Sequence, residues 1–251
     1  MSPGFLVALG AVVVIGLAAL IFFMLNDESR DAEAAASLEE SLQNLPLDMA
    51  DGQSLGSPDA PLTITMFEDF QCPFCLRYTA EDEPMIVDEY VKTGQVRLEF
   101  KHLPILGVES VRAAMAATCA ADQNKFWEFH HRVFKKEADE GQLSNERLNK
   151  GHLSDENLRK IAEESGLDMA AYEACLADPA TQEKVANQQR EATELGISST
   201  PTFLFNGRPL GGTPVNLDAW RQILDEQIAA AQATPEATGT AEATATATAG
   251  Q

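Results

Sequence analysis

Two cysteines three positions apart, Cys72 and Cys75 in TMFEDFQCPFCLRYTAE, are the residues of this chain best suited to do chemistry. They are two of only 4 cysteines among 251 residues. The pair stands where a short apolar run rich in β-prone residues, PLTITMFED (61–69), gives way to helix-prone sequence. Pro73 suits the first turn of a helix, where a missing N–H costs little, so Cys72 falls at the N-cap. Unpaired backbone N–H groups and the positive end of the helix dipole favour an anion there. They should pull the Cys72 thiol below its free value of about 8.5. Cys75, one turn on, lies on the same side and deeper. Cys72 is then the sulfur that is attacked, and Cys75 the one that resolves. Half a zinc site and an inert staple are the competing readings of the spacing. Zinc needs four ligands. The others would be Cys119 and Cys175, which are isolated, or His130 and His131, which as helix neighbours point about 100° apart. Redox exchange is the reading that needs no further ligand. It does need a proton acceptor, and Glu68 and Asp69 at the strand's end are the candidates, against the plainer role of solvated or capping acids.

The elements that must position the pair follow from periodicity. After the strand at 61–69 comes a helix from Pro73, interrupted near Pro84 and closed by Gly94. QVRLEFKHLPI (95–105) alternates as a second strand. From 109 to 195 the signals are helical, including a Ser154 cap and a stop at Gly166. Phe126, Trp127, Phe129 and Phe134 read as the core of that block in preference to a substrate groove, and His102 as a structural hydrogen-bonding residue. TPTFLFNGRPLGG (200–212) reads as a hairpin turning at Asn206-Gly207, and NLDAWRQILDEQIAAA as a last helix.

The net charge of −21, from 39 acidic and 18 basic residues, argues against nucleic acid and against anionic lipid as partners. No Gly-rich phosphate loop and no resident metal set is evident, so no cofactor is expected. Residues 5–25 are uncharged and apolar, and as a helix would reach about 30 Å, the thickness of a bilayer's hydrocarbon core. They read as an uncleaved anchor, since a signal peptide carries Lys or Arg before a shorter apolar run. The expected organisation is a transmembrane anchor at 1–25, a polar tether at 26–54, a folded domain at 55–232 and a disordered Ala/Thr-rich tail at 233–251. The cysteines place the domain outside the cytoplasm of a single-pass membrane protein.

FEDFQCPFC after a strand, CAADQNKFWEFHHRVF in a helical block, YEACL further on and GISSTPTFLFNGRPLGG together resemble the DsbA-like thiol–disulfide oxidoreductases. The resemblance covers about residues 55–230, with the motifs in the family's order. It implies an α/β, thioredoxin-like fold with an all-helical insertion, here at about 109–195. It implies Cys72 as nucleophile, Cys75 as its partner, and Thr200-Pro201 as a cis peptide facing them, where a substrate strand pairs. It also implies a second disulfide between Cys119 and Cys175. Two departures stand out. Phe74 occupies the place of a histidine between the cysteines and cannot donate a hydrogen bond. Met66 stands six residues before Cys72, where thioredoxin-like proteins often bury a carboxylate. The implied function is oxidation of reduced exported proteins, with reoxidation by a membrane quinone-linked partner of the DsbB or VKOR type. Isomerase or reductase action through the same pair, and a non-catalytic binding or chaperone module, are the alternatives.

Overall fold

A computed structural model describes residue 16 and residues 29–233. Helix α1 spans residues 29–44. After a short 3₁₀ turn, Leu47–Met49, come β1 (Ala50–Asp51), β2 (Ser54–Leu55) and β3 (Leu62–Glu68). A continuous helical rod follows, made of α2 (Pro73–Arg77), a wide π turn (Tyr78–Asp82), α3 (Glu83–Ile86) and a second π turn (Val87–Val91). Strand β4 is Val96–His102. The helical insertion comprises α4 (Val108–Ala121), α5 (Phe126–Asp139), α6 (Gln142–Asn145), α7 (Asp155–Glu164), α8 (Met169–Ala177) and α9 (Pro179–Glu194). The chain closes with β5 (Thr202–Phe205), β6 (Arg208–Pro209) and α10 (Leu217–Ala233).

The strands form one sheet in the order β1-β2-β4-β3-β5-β6. Strand β3 is central and buried along nearly its whole length, which is why its sequence is a continuous apolar run. Strand β4 alternates, with Val96, Leu98, Phe100 and His102 turned inward. The two run parallel in a register that ends with Glu68 opposite His102, and the helical rod is the crossover that parallel pairing demands. Strand β5 lies antiparallel on the other edge of β3, with Thr202 opposite Phe67. That register brings the start of β5 to the same end of the sheet as the start of α2. The insertion covers one side of the core through a ring cluster of Phe70, Phe100, Phe126, His130 and Phe134. On another side, Tyr78, Phe203 and Trp220 of α10 stack together.

The tether expected at 26–54 is corrected by the structure. Asp31, Ala34, Ala35 and Leu38 lie on one face of α1 at helical spacing, and all are buried. Asp31 accepts from the backbone N–H groups of Leu143 and Ser144 at 2.8 and 3.2 Å. Pro84 has no N–H to offer the Ala80 carbonyl four residues back, and Ser37 Oγ of α1 donates to that carbonyl at 2.6 Å. Residues 50–55 then extend the sheet rather than link to it. Small Ala side chains hid this face from a polarity reading. No helix among the described residues is long and apolar enough to cross a membrane. The expected anchor at 1–25, residue 16 apart, and the tail beyond residue 233 lie outside the described residues.

Candidate active site

Cys72 is the N-cap of α2, with Pro73 in the first turn. Both Cys72 and Cys75 are free thiols. Burial divides them, because Cys72 keeps 4% of its surface and Cys75 none. The Thr200-Pro201 peptide is cis, and the Thr200 carbonyl accepts from Cys72 Sγ at 3.4 Å. The carbonyl on its own would hold the proton on sulfur. It is outweighed. The Cys75 thiol, the Thr200 hydroxyl and the backbone N–H groups of Cys75 and Phe74 all donate to the anion and lower the Cys72 pKa from 9.0 to about 7, against the upward pull of burial. Cys75 goes the other way. Burial first, then the Cys72 sulfur and the Glu68 charge, push its thiol well above the ordinary range. The result is one sulfur poised to ionise near neutrality and a partner that holds its proton.

The two candidate acids separate cleanly. Glu68 ends β3 and is fully buried, and neither carboxyl oxygen has a hydrogen-bond partner. Burial, then the charges of Glu83 and Cys72, push its pKa well up, opposed by the Cys75 thiol. A buried acid whose surroundings favour its neutral form therefore lies within electrostatic reach of both sulfurs. Asp69 is also buried, but its oxygens are occupied: Oδ1 accepts from Gln71 N at 2.9 Å, and Oδ2 from Ile105 N and Leu106 N at 2.8 and 2.9 Å. It braces the loop after β4 against the start of α2.

A family profile described as Thioredoxin matches residues 49–226. The chain belongs to the thioredoxin family. It is 29% identical over 191 residues to disulfide bond formation protein D of Bacillus subtilis, covering 73% of this chain and 77% of that one. Over 212 residues it is 31% identical to Na(+)/H(+) antiporter NhaA 3 of Salinispora tropica, covering 83% of this chain. The alignment takes in 30% of that antiporter's length. Among solved structures, α-DsbA1 of Wolbachia pipientis superposes with a TM-score of 0.60 at 26% identity, over 78% of this chain and 98% of that one. The thioredoxin-like α/β fold with a helical insertion, expected from the motifs, is the fold of this chain.

Around the pair, this thioredoxin-family domain uses residues that the sequence did not single out. Gln71, next to Cys72, donates to Ser110 Oγ at 2.8 Å and accepts from Asn149 N at 2.6 Å. Its own carbonyl accepts from Gln142 Nε2 at 2.6 Å. These bonds lock the approach to α2 onto the insertion. Residue type alone carries no signal of them, since all three partners are distant in sequence. Cys119 and Cys175 are joined by a disulfide that ties α4 to α8. Phe126, Trp127, Phe129 and Phe134 are fully buried.

Two histidine expectations are corrected. The His102 Nε2 is unpartnered, and the ring packs against Phe70, Phe100 and Phe126. Burial lowers its pKa to about 3, so it serves as a neutral aromatic. His130 and His131 do not point apart. Their Nδ1 atoms lie 3.3 Å from one another, although the His130 ring packs among Phe70, Phe100, Phe126 and Phe134 and His131 reaches Glu83.

Proposed function

We propose that this domain is a thiol–disulfide oxidoreductase that donates its Cys72–Cys75 disulfide to reduced exported proteins. The observation that carries the reading is the inequality of the two sulfurs beside Thr200-Pro201, one lowered to about 7 and the other raised by burial. The name and extent of the Bacillus subtilis relative support it.

A substrate thiolate attacks Cys72 Sγ of the disulfide. A mixed disulfide forms, the Cys72–Cys75 bond breaks, and the electron pair leaves on Cys75, which takes up a proton. Glu68 is the buried acid placed to supply it. A second substrate thiolate then attacks the substrate sulfur. The substrate disulfide forms, and Cys72 departs as the thiolate its surroundings favour. Two electrons have passed from substrate to domain. Lowering the Cys72 pKa stabilises the reduced product and so favours oxidation of the substrate. Phe74 and Val215 are exposed, at 55% and 89%. A groove of about 210 Å³ lined by Phe74, Arg77, Tyr78, Asp82, Thr200 and Pro201 runs beside the sulfur. It suits an extended peptide that carries apolar side chains. In this reading residues 5–25 anchor the domain outside the cytoplasm, and a quinone-linked membrane partner of the DsbB or VKOR type removes the electrons.

The test is oxidation of a two-cysteine peptide by the oxidised protein. Cys72→Ala should abolish it. Cys75→Ala, which has no disulfide to donate, should also fail, but its Cys72 thiolate should attack an already disulfide-bonded peptide and hold it as a mixed disulfide, releasing the peptide's other thiolate. Glu68→Gln should slow the first step more than it changes peptide affinity. Unchanged peptide oxidation by Cys72→Ala would end this reading. The equilibrium potential gives the direction: near −120 mV means donation of disulfides, near about −270 mV means reduction.

A further inference from the structure

Glu83, His130 and His131 neither attack nor leave in the thiol exchange, and they converge with both Glu83 oxygens and His130 Nε2 left without hydrogen-bond partners. All three are buried, with Glu83 and His130 at 0% and His131 at 2% exposure. His131 Nδ1 lies 3.1 Å from the Trp127 carbonyl oxygen, which can only accept. The hydrogen of a neutral His131 ring therefore sits on Nδ1. Its Nε2 is then a lone pair, and at 3.3 Å it faces Glu83 Oε1. Neither oxygen of Glu83 receives a hydrogen bond. His130 Nδ1 lies 3.3 Å from His131 Nδ1, and His130 Nε2 has no partner. Facing acceptors in a buried site are unfavourable unless a proton or a cation lies between them.

One donor atom from each of the three residues lies within 4.8 Å of the other two. A tetrahedral zinc ion with bonds of about 2.0–2.1 Å holds neighbouring ligand atoms about 3.3–3.4 Å apart, and His131 Nε2 to Glu83 Oε1 is 3.3 Å. The Nδ1–H donated to a backbone carbonyl is the bond that orients an imidazole for a metal on its other nitrogen. Two imidazoles and one carboxylate suit zinc and its first-row neighbours, whereas calcium and magnesium want oxygen shells. There is also a way in. Glu83 and His131 form part of the wall of a cavity of about 190 Å³ beneath α1, which Ser37, Glu40, Ser41 and Asn44 line from above. That volume holds several waters, enough to complete a coordination shell.

We propose that Glu83, His130 and His131 form a binding site for a zinc-class divalent metal ion at the floor of this cavity. The ion would pin the crossover helix that carries Cys75 to α5, with α1 closing over it. The proposal does not rest on the thiol chemistry.

The test uses the full chain in detergent, without affinity histidines. The protein is oxidised, so that Cys72 and Cys75 are joined and cannot ligate. Cobalt(II) is titrated while visible absorption is followed, and zinc(II) is then added. One equivalent of cobalt should bind, with d–d bands and no thiolate charge-transfer band, and zinc should displace it. Two hyperfine-shifted, exchangeable ring N–H signals should appear in the proton NMR spectrum, one from each histidine. His131→Gln should weaken binding by about 100-fold or more. Absence of saturable cobalt binding by the wild type would overturn the proposal. So would binding without the two shifted N–H signals, or binding that survives His131→Gln, since either would place the ion elsewhere.

Discussion

Replacing Cys75 by alanine removes the strongest hydrogen bond to the Cys72 sulfur, and the consequence can be worked out. With that bond, Cys72 titrates at about 7, so half of it is thiolate at pH 7. At the unperturbed value of 9.0, about 1% would be thiolate, roughly 50-fold less. The thiolate of a weaker acid is the better nucleophile, and a Brønsted slope of about 0.4–0.5 over two pH units returns about 6- to 10-fold. The two effects leave Cys75→Ala about five- to eight-fold slower at pH 7 towards a small aromatic disulfide. That is the upper bound, because the Thr200 hydroxyl and the Phe74 N–H still act on the sulfur. Above about pH 10 both thiols are ionised, and the variant becomes the faster of the two. Crossing pH–rate profiles are therefore the signature, read by stopped-flow absorbance of the released chromophore. Profiles that share one midpoint, or a wild-type midpoint near 9, would refute the reasoning.

Glu137 is buried near Glu109, Asp69 and Glu140, and burial first, then those charges, raise its pKa to about 8, with Lys136 opposing. His152 Nδ1 stands 3.5 Å away. A raised folded value means stability that is full below about pH 4.5 and lost as pH climbs through 8, by up to about 4–5 kcal/mol. Glu137→Gln should flatten that loss in urea unfolding at pH 5 and pH 8; an unchanged slope would count against it. Replacing both Cys119 and Cys175 by alanine opens a loop with a sequence separation of 56 and should cost about 4 kcal/mol of stability, while the Cys72 pH–rate profile stays put. Asp69→Asn turns an amide N–H₂ towards backbone N–H groups that now meet a carboxylate. It should cost about 2–3 kcal/mol and speed amide hydrogen exchange at Ile105 and Leu106.

Much of the fold was legible because its signals are local. The buried run of β3, the alternation of β4, Pro73 after Cys72 and the Asn206-Gly207 turn each depend on residues within a few positions of one another. The face of α1 was missed because Ala34 and Ala35 read as neutral, and only the core they cover makes them apolar contacts. Glu68 and Asp69, adjacent in sequence, could not be told apart. A strand sends successive side chains to opposite sides, so one goes into the dry space by the sulfurs and the other to the backbone of residues 105 and 106.

The amino-acid order alone determined that a cysteine would cap a helix at the end of a strand, and that a second would lie one turn deeper. Helix caps and side-chain periods are short-range properties of the chain. The tertiary structure decided how far apart the pKa values of the two thiols are driven, which acid is free, and that two neighbouring histidines meet a glutamate from another helix. Those outcomes depend on burial and on contacts across dozens of residues, and both arise only when the sheet, the crossover helix and the insertion close on one another.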